Sequence, residues 1–360
     1  MRPRWIVTLA LVVIAACSAP IGLTPAPSTP KASSTPTASP SSAASLASSA
    51  PPSAQPAIGA TELAGTILFG RMGGGFGDAT IFTANADGSD DARVGGFLAD
   101  KTTCCPRWSP DGSRMAIPVI NDDELFTTGL IDPDGANLRA FDLPRGWEGG
   151  CSLWTPDGER MVCEGGYRDD PASGGIYTVR ADDGSDPQPV IVDVGMTILR
   201  DISPDGSQVV FIGDPVGPPT GIDAGAPYGS LYVVRVDGTG LRKITPDGVY
   251  ALFSSRWSPD GDWILFAGIG RTAEPIYAVR PDGSDLRTVF ADSRRGAVHP
   301  AWSPDGTFIV FALDPPGTMA TLSQSPPNEL CVIRADGGDL TCLIATPDHK
   351  IWMDWVDPER

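Results

Sequence analysis

The stretch SRWSPDGDWILFA at residues 255–267 decides the fold, because its pattern returns along the chain. Copies stand at 105–117 (CPRWSPDGSRMAI), 152–162 (SLWTPDGERMV), 200–212 (RDISPDGSQVVFI) and 300–312 (PAWSPDGTFIVFA). A second motif alternates with it: IFTANADGSD at 81–90, LIDPDGANL at 130–138, IYTVRADDGSD at 176–186, LYVVRVDGTGL at 231–241, IYAVRPDGSDL at 276–286 and CVIRADGGDL at 331–340. The Asp of the first motif falls at 111, 157, 205, 260 and 305, and that of the second at 87, 134, 183, 237, 282 and 336. Both series step by 45–55 residues, the length of one propeller blade. The C-terminal IWMDWVDP at 351–358 reads as a degenerate sixth copy of the first motif.

Turn chemistry accounts for the motif. In Ser109-Pro110-Asp111-Gly112 the proline suits the second position of a type I turn, and the glycine supplies the left-handed residue after it. This geometry predicts that Ser109 pairs with Ser113 and, in the next copy, Thr155 with Glu159. The flanking runs WILF, FIVF and QVVF are aromatic and β-branched, as half-buried strands require. Trp108, Trp154, Trp257, Trp302 and Trp355 share one position and read as apolar wedges between neighbouring blades. Each blade therefore has four strands, the inner one ending at the Trp. Residues 351–356 supply the inner strand of a split blade whose other strands come from 66–71 and 80–94. The expectation is an all-β, six-bladed β-propeller closed by that split blade, spanning 61–360.

The alternation of WSPDG with xDGS resembles the TolB-like, PD40-type propeller repeat, and the resemblance covers essentially all of 61–360. TolB itself carries an additional α/β domain before the propeller, so its partners are not carried over. PD40-type lyases acting on uronides use a His-rich metal site, whereas this chain has two histidines.

Residues 1–60 differ in kind. Met1-Arg2-Pro3-Arg4 is a basic head, followed by twelve residues from Trp5 to Ala16 that are apolar except Thr8, too few to span a bilayer and suited to a signal peptide over 1–16. Ile14-Ala15-Ala16-Cys17 resembles a bacterial lipobox, which implies cleavage before Cys17 and lipidation of its thiol. In 18–60, 35 of 43 residues are Ala, Ser, Thr or Pro, too few apolar groups to offset the entropy of ordering. Residues 17–60 are accordingly an acylated, disordered tether. The predicted location is extracytoplasmic, held to the bacterial cell membrane by the lipid alone. All 44 carboxylates fall in 61–360, giving that region a formal charge of −21, which argues against nucleic acid as a partner and fits a basic partner or a soluble monomer.

Six further cysteines outside the cytoplasm suggest three bridges. Cys151 and Cys163 fall opposite one another across a hairpin. Cys331 and Cys342 are close across another, in a register that depends on turn type. Cys104 and Cys105 form a vicinal bridge, or one of them reaches a neighbouring blade. No CxxC pair or His-Cys cluster predicts a metal, and no cofactor is expected.

Strand order puts both DG turns of every blade on one face, the turn face. The long connections 164–175, 213–230, 268–275 and 313–329 lie on the other, the loop face, where binding is expected. Inner-strand residues next to the Trp slot add channel candidates: Arg107, Asp201, Arg256, Asp354 and, at the channel mouth near Arg294 and Arg295, His299. His349 reads as a surface residue. The acidic groups Asp122-Asp123-Glu124 and Asp169-Asp170 offer at most weak Ca²⁺ binding. There is no GxSxG elbow and no supported Ser–His–Asp order. The predicted function is a non-catalytic binding module that captures an envelope protein or cell-wall glycan on its loop face. The alternative is a hydrolase or lyase acting on a secreted sugar or peptide in the channel.

Overall fold

A computed structural model describes residue 58 and residues 62–356, apart from 73–78, 95–106, 121–125, 133, 142, 144–145, 168, 195–196, 214–227, 270–273 and 317–326. The signal peptide, Cys17, most of the tether, Cys104, Cys105 and the acidic run 122–124 lie outside the described residues. The rest forms six antiparallel sheets. Blade 2 runs Arg107–Trp108, Met115–Ile120, Phe126–Ile131 and Arg139–Ala140; blade 3 runs Trp147–Trp154, Arg160–Tyr167, Gly175–Arg180 and Gln188–Val192. Blade 4 comprises Thr197–Ile202, Gln208–Gly213, Leu231–Arg235 and Arg242–Lys243. Blade 5 comprises Ala251–Trp257, Ile264–Gly268, Ile276–Val279 and Arg287–Phe290, and blade 6 Ala297–Trp302, Phe308–Leu313, Glu329–Arg334 and Thr341–Ile344. Blade 1 is the split one: His349–Val356 is its inner strand, followed by Thr66–Met72, Ala79–Asn85 and Ala92–Arg93.

Six apolar clusters fill the spaces between successive blades. Phe69, Phe211, Phe266 and Phe311 occupy one equivalent, fully buried slot in four second strands, each contributing about 1.5–3 kcal/mol by leaving water. In blade 3 that slot holds Cys163, bonded to Cys151. The Trp slot works as wedge and clasp. Trp154 Nε1 donates to Arg107 O and Trp302 Nε1 to Arg256 O, each at 3.3 Å across to the preceding blade. Ile58, placed in the tether by composition, is buried between blades 6 and 1.

The first-motif turns differ from expectation by one residue. Ser109 N donates to Arg114 O and Thr155 N to Arg160 O, so Ser109 pairs with Arg114 and Thr155 with Arg160, leaving four residues in each loop. The serine hydroxyl explains the longer turn: Ser109 Oγ donates to Asp111 Oδ1 at 2.6 Å and accepts from Arg114 N at 3.0 Å. Blades 3 to 6 repeat both contacts. The glycine is left-handed as predicted, with φ 67° at Gly112.

The longer turn should misalign Cys151 and Cys163, yet they are opposite. A register shift between Cys151 and Leu153 places one extra residue in the inner strand and restores the pairing. Equivalent shifts mark the inner strands of blades 1, 4, 5 and 6. Cys331 faces Cys342 directly, across the three-residue turn closed by Arg334 N donating to Gly338 O, and those two are bonded also.

Candidate functional site

The inner-strand bulges set where each channel side chain goes. The residue before the Trp slot leans from its blade towards the next. Reading from blade 1, these positions hold Asp354, Arg107, Leu153, Asp201, Arg256 and Ala301. The order Asp–Arg–apolar thus occurs twice around the ring. Arg107 Nη1 stands 4.0 Å from Asp354 Oδ1, and Asp201 Oδ2 accepts from Trp257 N at 2.8 Å beside Arg256.

The two arginines come from opposite blades and meet. Arg107 Nη2 reaches Arg200 O at 3.3 Å, and Arg256 Nη1 reaches the same carbonyl at 3.4 Å. Arg256 Nη1 also donates to Ser255 O and its Nη2 to Met353 O in blade 1. Four of the predicted channel residues are therefore brought together, but as a crossed plug that ties blades 1, 2, 4 and 5. Burial and the nearby Arg107 charge pull Arg256 down to about 9, against Asp201 and Asp354. Burial raises Asp201 against the pull of Arg256 and Arg107.

Two partners in this network escaped the sequence reading. Arg200 lies at the bulge of blade 4, and burial lowers it to about 10, opposed by Glu164. Glu164 is pushed by burial up to about 7, opposed by the Leu199 N–H it accepts at 2.7 Å and by Arg200. A signal did exist: Glu164 interrupts an otherwise apolar second strand, MVCEGG.

His299 departs from its predicted place. It is buried, not at the mouth, and has a left-handed φ of 56° within the blade 6 bulge, a strained conformation for a non-glycine residue. Its Nδ1 lies 3.0 Å from Ser254 Oγ. Burial, then the fields of His349, Arg256 and Arg200, bring it down to about 3, so the ring is neutral at neutral pH and a poor proton acceptor. Arg295 turns elsewhere, to Glu329 Oε2 at 2.5 Å and Asp314 O at 2.9 Å.

The reading of His349 as a surface residue is also corrected: it is buried, and Asn328 Nδ2 lies 3.1 Å from its Nδ1. Beside it Lys350 is fully buried, its Nζ donating to Asn328 O, Asp348 Oδ1, Thr346 O and Asp348 O at 2.7–3.2 Å. These groups latch the closing strand at the loop end of the channel. Tyr228–Gly229 adds a further strand to the channel edge of blade 5 at Ala251–Leu252, narrowing the same end.

The turn end is different. A cavity of ≈ 690 Å³ opens there, with Arg107, Asp201 and Asp354 on its floor and Trp108, Trp154 and Pro304 among its walls. Around it stand Asp111, Asp157, Asp205, Asp260 and Asp305, all exposed. The Ser109 hydroxyl and Ser113 N–H hold Asp111 down at about 2, and the Thr155 and Ser203 hydroxyls lower Asp157 and Asp205 likewise. In the second motif, the Ser89, Thr239 and Ser284 hydroxyls lower Asp87, Asp237 and Asp282. The hydrogen bonds that build the turns therefore keep this face charged. For metal ligation, the grouping found among the described residues is Glu329 with Cys331 and Cys342, whose sulfurs are bonded to each other and offer no thiolate.

No protein-family model matches the sequence, and no curated protein does. Solved structures do match. TolB from Acinetobacter baumannii aligns with TM-score 0.59 and 17% identity over 81% of this chain, which spans 66% of that one. A putative TolB from Agrobacterium tumefaciens aligns with TM-score 0.53 and 20% identity, over 68% of this chain and 82% of that one. At these identities the likeness concerns architecture. The chain is a six-bladed β-propeller of TolB-like fold.

Proposed function

We propose that this protein is a non-catalytic binding module, tethered outside the bacterial membrane through an acylated Cys17, that captures a basic region of another extracytoplasmic protein. One observation carries the reading: the channel residues suited to chemistry, Arg107 and Arg256, cross the ring and share one backbone carbonyl at its centre. Among the described residues, the loop end of the channel holds buried, internally bonded polar groups, and the turn end is the open, charged one. The docking face proposed is therefore the turn face, opposite the loop face expected from connection lengths. Its fixed carboxylates steer cations and strengthen association at low salt.

The test is capture of extracytoplasmic proteins by the immobilised full-length chain, at low and high salt, with Asp111→Lys/Asp305→Lys as control. Stoichiometric, salt-sensitive retention that the control loses supports the reading. Retention indifferent to both salt and the charge reversal contradicts it.

A further inference from the structure

The two bonded cysteine pairs are placed differently. Cys151 and Cys163 are both buried, in the core cluster between blades 2 and 3. Cys331 is buried too, but Cys342 is exposed, on the outermost strand of blade 6. A nucleophile in solvent therefore reaches one sulfur of the second bridge and neither sulfur of the first. A third donor stands beside the exposed bridge. Glu329 precedes Cys331 by two residues on one strand, so both side chains take the same face. Cys342 lies directly opposite Cys331 on the neighbouring strand. A carboxylate oxygen of Glu329 and the two sulfurs all fall within 4.8 Å of one another. Arg295 Nη2 holds Glu329 Oε2 from the far side, at 2.5 Å.

We propose that reduction of the Cys331–Cys342 bridge turns this corner of blade 6 into a Zn²⁺ site, with Cys331, Cys342 and Glu329 as ligands. The reductant is a dithiol. Its thiolate attacks the exposed Cys342 sulfur, forms a mixed disulfide and releases Cys331. Its second thiol then attacks the mixed disulfide and releases Cys342. The dithiol leaves as a disulfide, and two electrons and two protons have passed to the cysteines. Zn²⁺ displaces those two protons, binds both thiolates and the Glu329 carboxylate, and keeps its fourth position for water. Bonds of about 2.0–2.3 Å to a tetrahedral ion put its ligands roughly 3–4 Å apart, a spacing that these donors already bracket. Paired thiolates favour Zn²⁺ over Ca²⁺ and Mg²⁺. Three anionic donors exceed the charge of the ion by one, and Arg295 supplies the balance while orienting Glu329. The outer hairpin of blade 6 is thus clasped in either state, by sulfur to sulfur or through the metal.

The test begins with the full-length chain, treated with limiting dithiol, alkylated and mapped by mass. Cys331 and Cys342 should be labelled while Cys151–Cys163 stays bonded. Zn²⁺ is then titrated against a chromophoric chelator. The reduced chain should bind one more Zn²⁺ than the same chain kept oxidised, and one more than reduced Cys342→Ser. Glu329→Gln should weaken that extra ion at least about tenfold. If Glu329→Gln melts early, Cys342→Ser, on the exposed strand, still isolates the site. Opening of Cys151–Cys163 before Cys331–Cys342, equal Zn²⁺ uptake by the oxidised and reduced chains, or undiminished affinity in Glu329→Gln overturns the proposal. Partner capture at the turn face is read separately and does not depend on this result.

Discussion

The two ends of the channel are built from the same repeat and have opposite character. At the loop end, Lys350, His349, Asn328 and His299 are buried and bonded inward. At the turn end, Asp111, Asp157, Asp205, Asp260 and Asp305 are exposed, and their pKa values lie below the ordinary carboxylate range. Polar groups at the first end hold the ring closed, while those at the second shape short turns and keep their charge for the solvent. A polar residue in a propeller channel is therefore not evidence of chemistry until its hydrogen bonds have been traced.

The largest expected effect lies at the loop end. Lys350→Met should destabilise the fold by about 3 kcal/mol, because it leaves Asp348 and the carbonyl of Asn328 without their buried donor. Thermal unfolding checks this, and a change inside the scatter of surface substitutions would break the comparison. Next in size is the Cys151–Cys163 bridge, separated by 12 residues, whose conversion to Ser in both positions should cost about 2–3 kcal/mol. Chemical denaturation with and without reductant provides that measurement.

The pH dependence sharpens the comparison further. His299 has its pKa lowered to about 3 from 6.5, so the unfolded chain takes up a proton that the folded chain refuses. Its contribution is present above pH 6.5 and falls away as pH drops towards 3. Glu164 has the opposite sign: raised to about 7, its contribution is present below its ordinary value of 4.5 and lost as pH rises through 7. Asp111, lowered to about 2, loses its contribution only as pH falls below its ordinary 3.8. Between pH 4.5 and 6.5 His299 and Glu164 oppose one another, so stability should rise as pH falls in His299→Gln relative to wild type, and follow wild type in Asp111→Asn. The smallest expected effect on stability is that of Asp111→Asn itself, within about 1 kcal/mol near neutral pH, because Asn still accepts the Ser109 and Ser113 bonds.

The periodic parts of this molecule were legible in its sequence, and the singular parts were not. Eleven DG turns in phase imply blades, blade number and the closing strand, because turn geometry depends on residues within one loop. The Cys151–Cys163 pair was reached through a turn one residue too short, and the inner-strand bulge cancelled that error. The same bulge hid His299: one extra residue reverses which side of a strand a side chain takes. Lys350 and His349 carry no local mark of burial, since only closure of the ring places them inside. The meeting of Arg107 with Arg256 depends on two long side chains reaching across from opposite blades, and no spacing along the chain encodes it.

The most direct test compares the two ends in one experiment, measuring partner capture and melting temperature for Arg107→Gln/Arg256→Gln and for Asp111→Lys/Asp305→Lys. The crossed-arginine variant should melt several degrees lower, by about 5 °C or more, yet retain capture while folded. The turn-face variant should melt within about 2 °C of wild type and lose capture. Loss of capture by the folded arginine variant, with full capture by the turn-face variant, would place function in the channel and contradict this account.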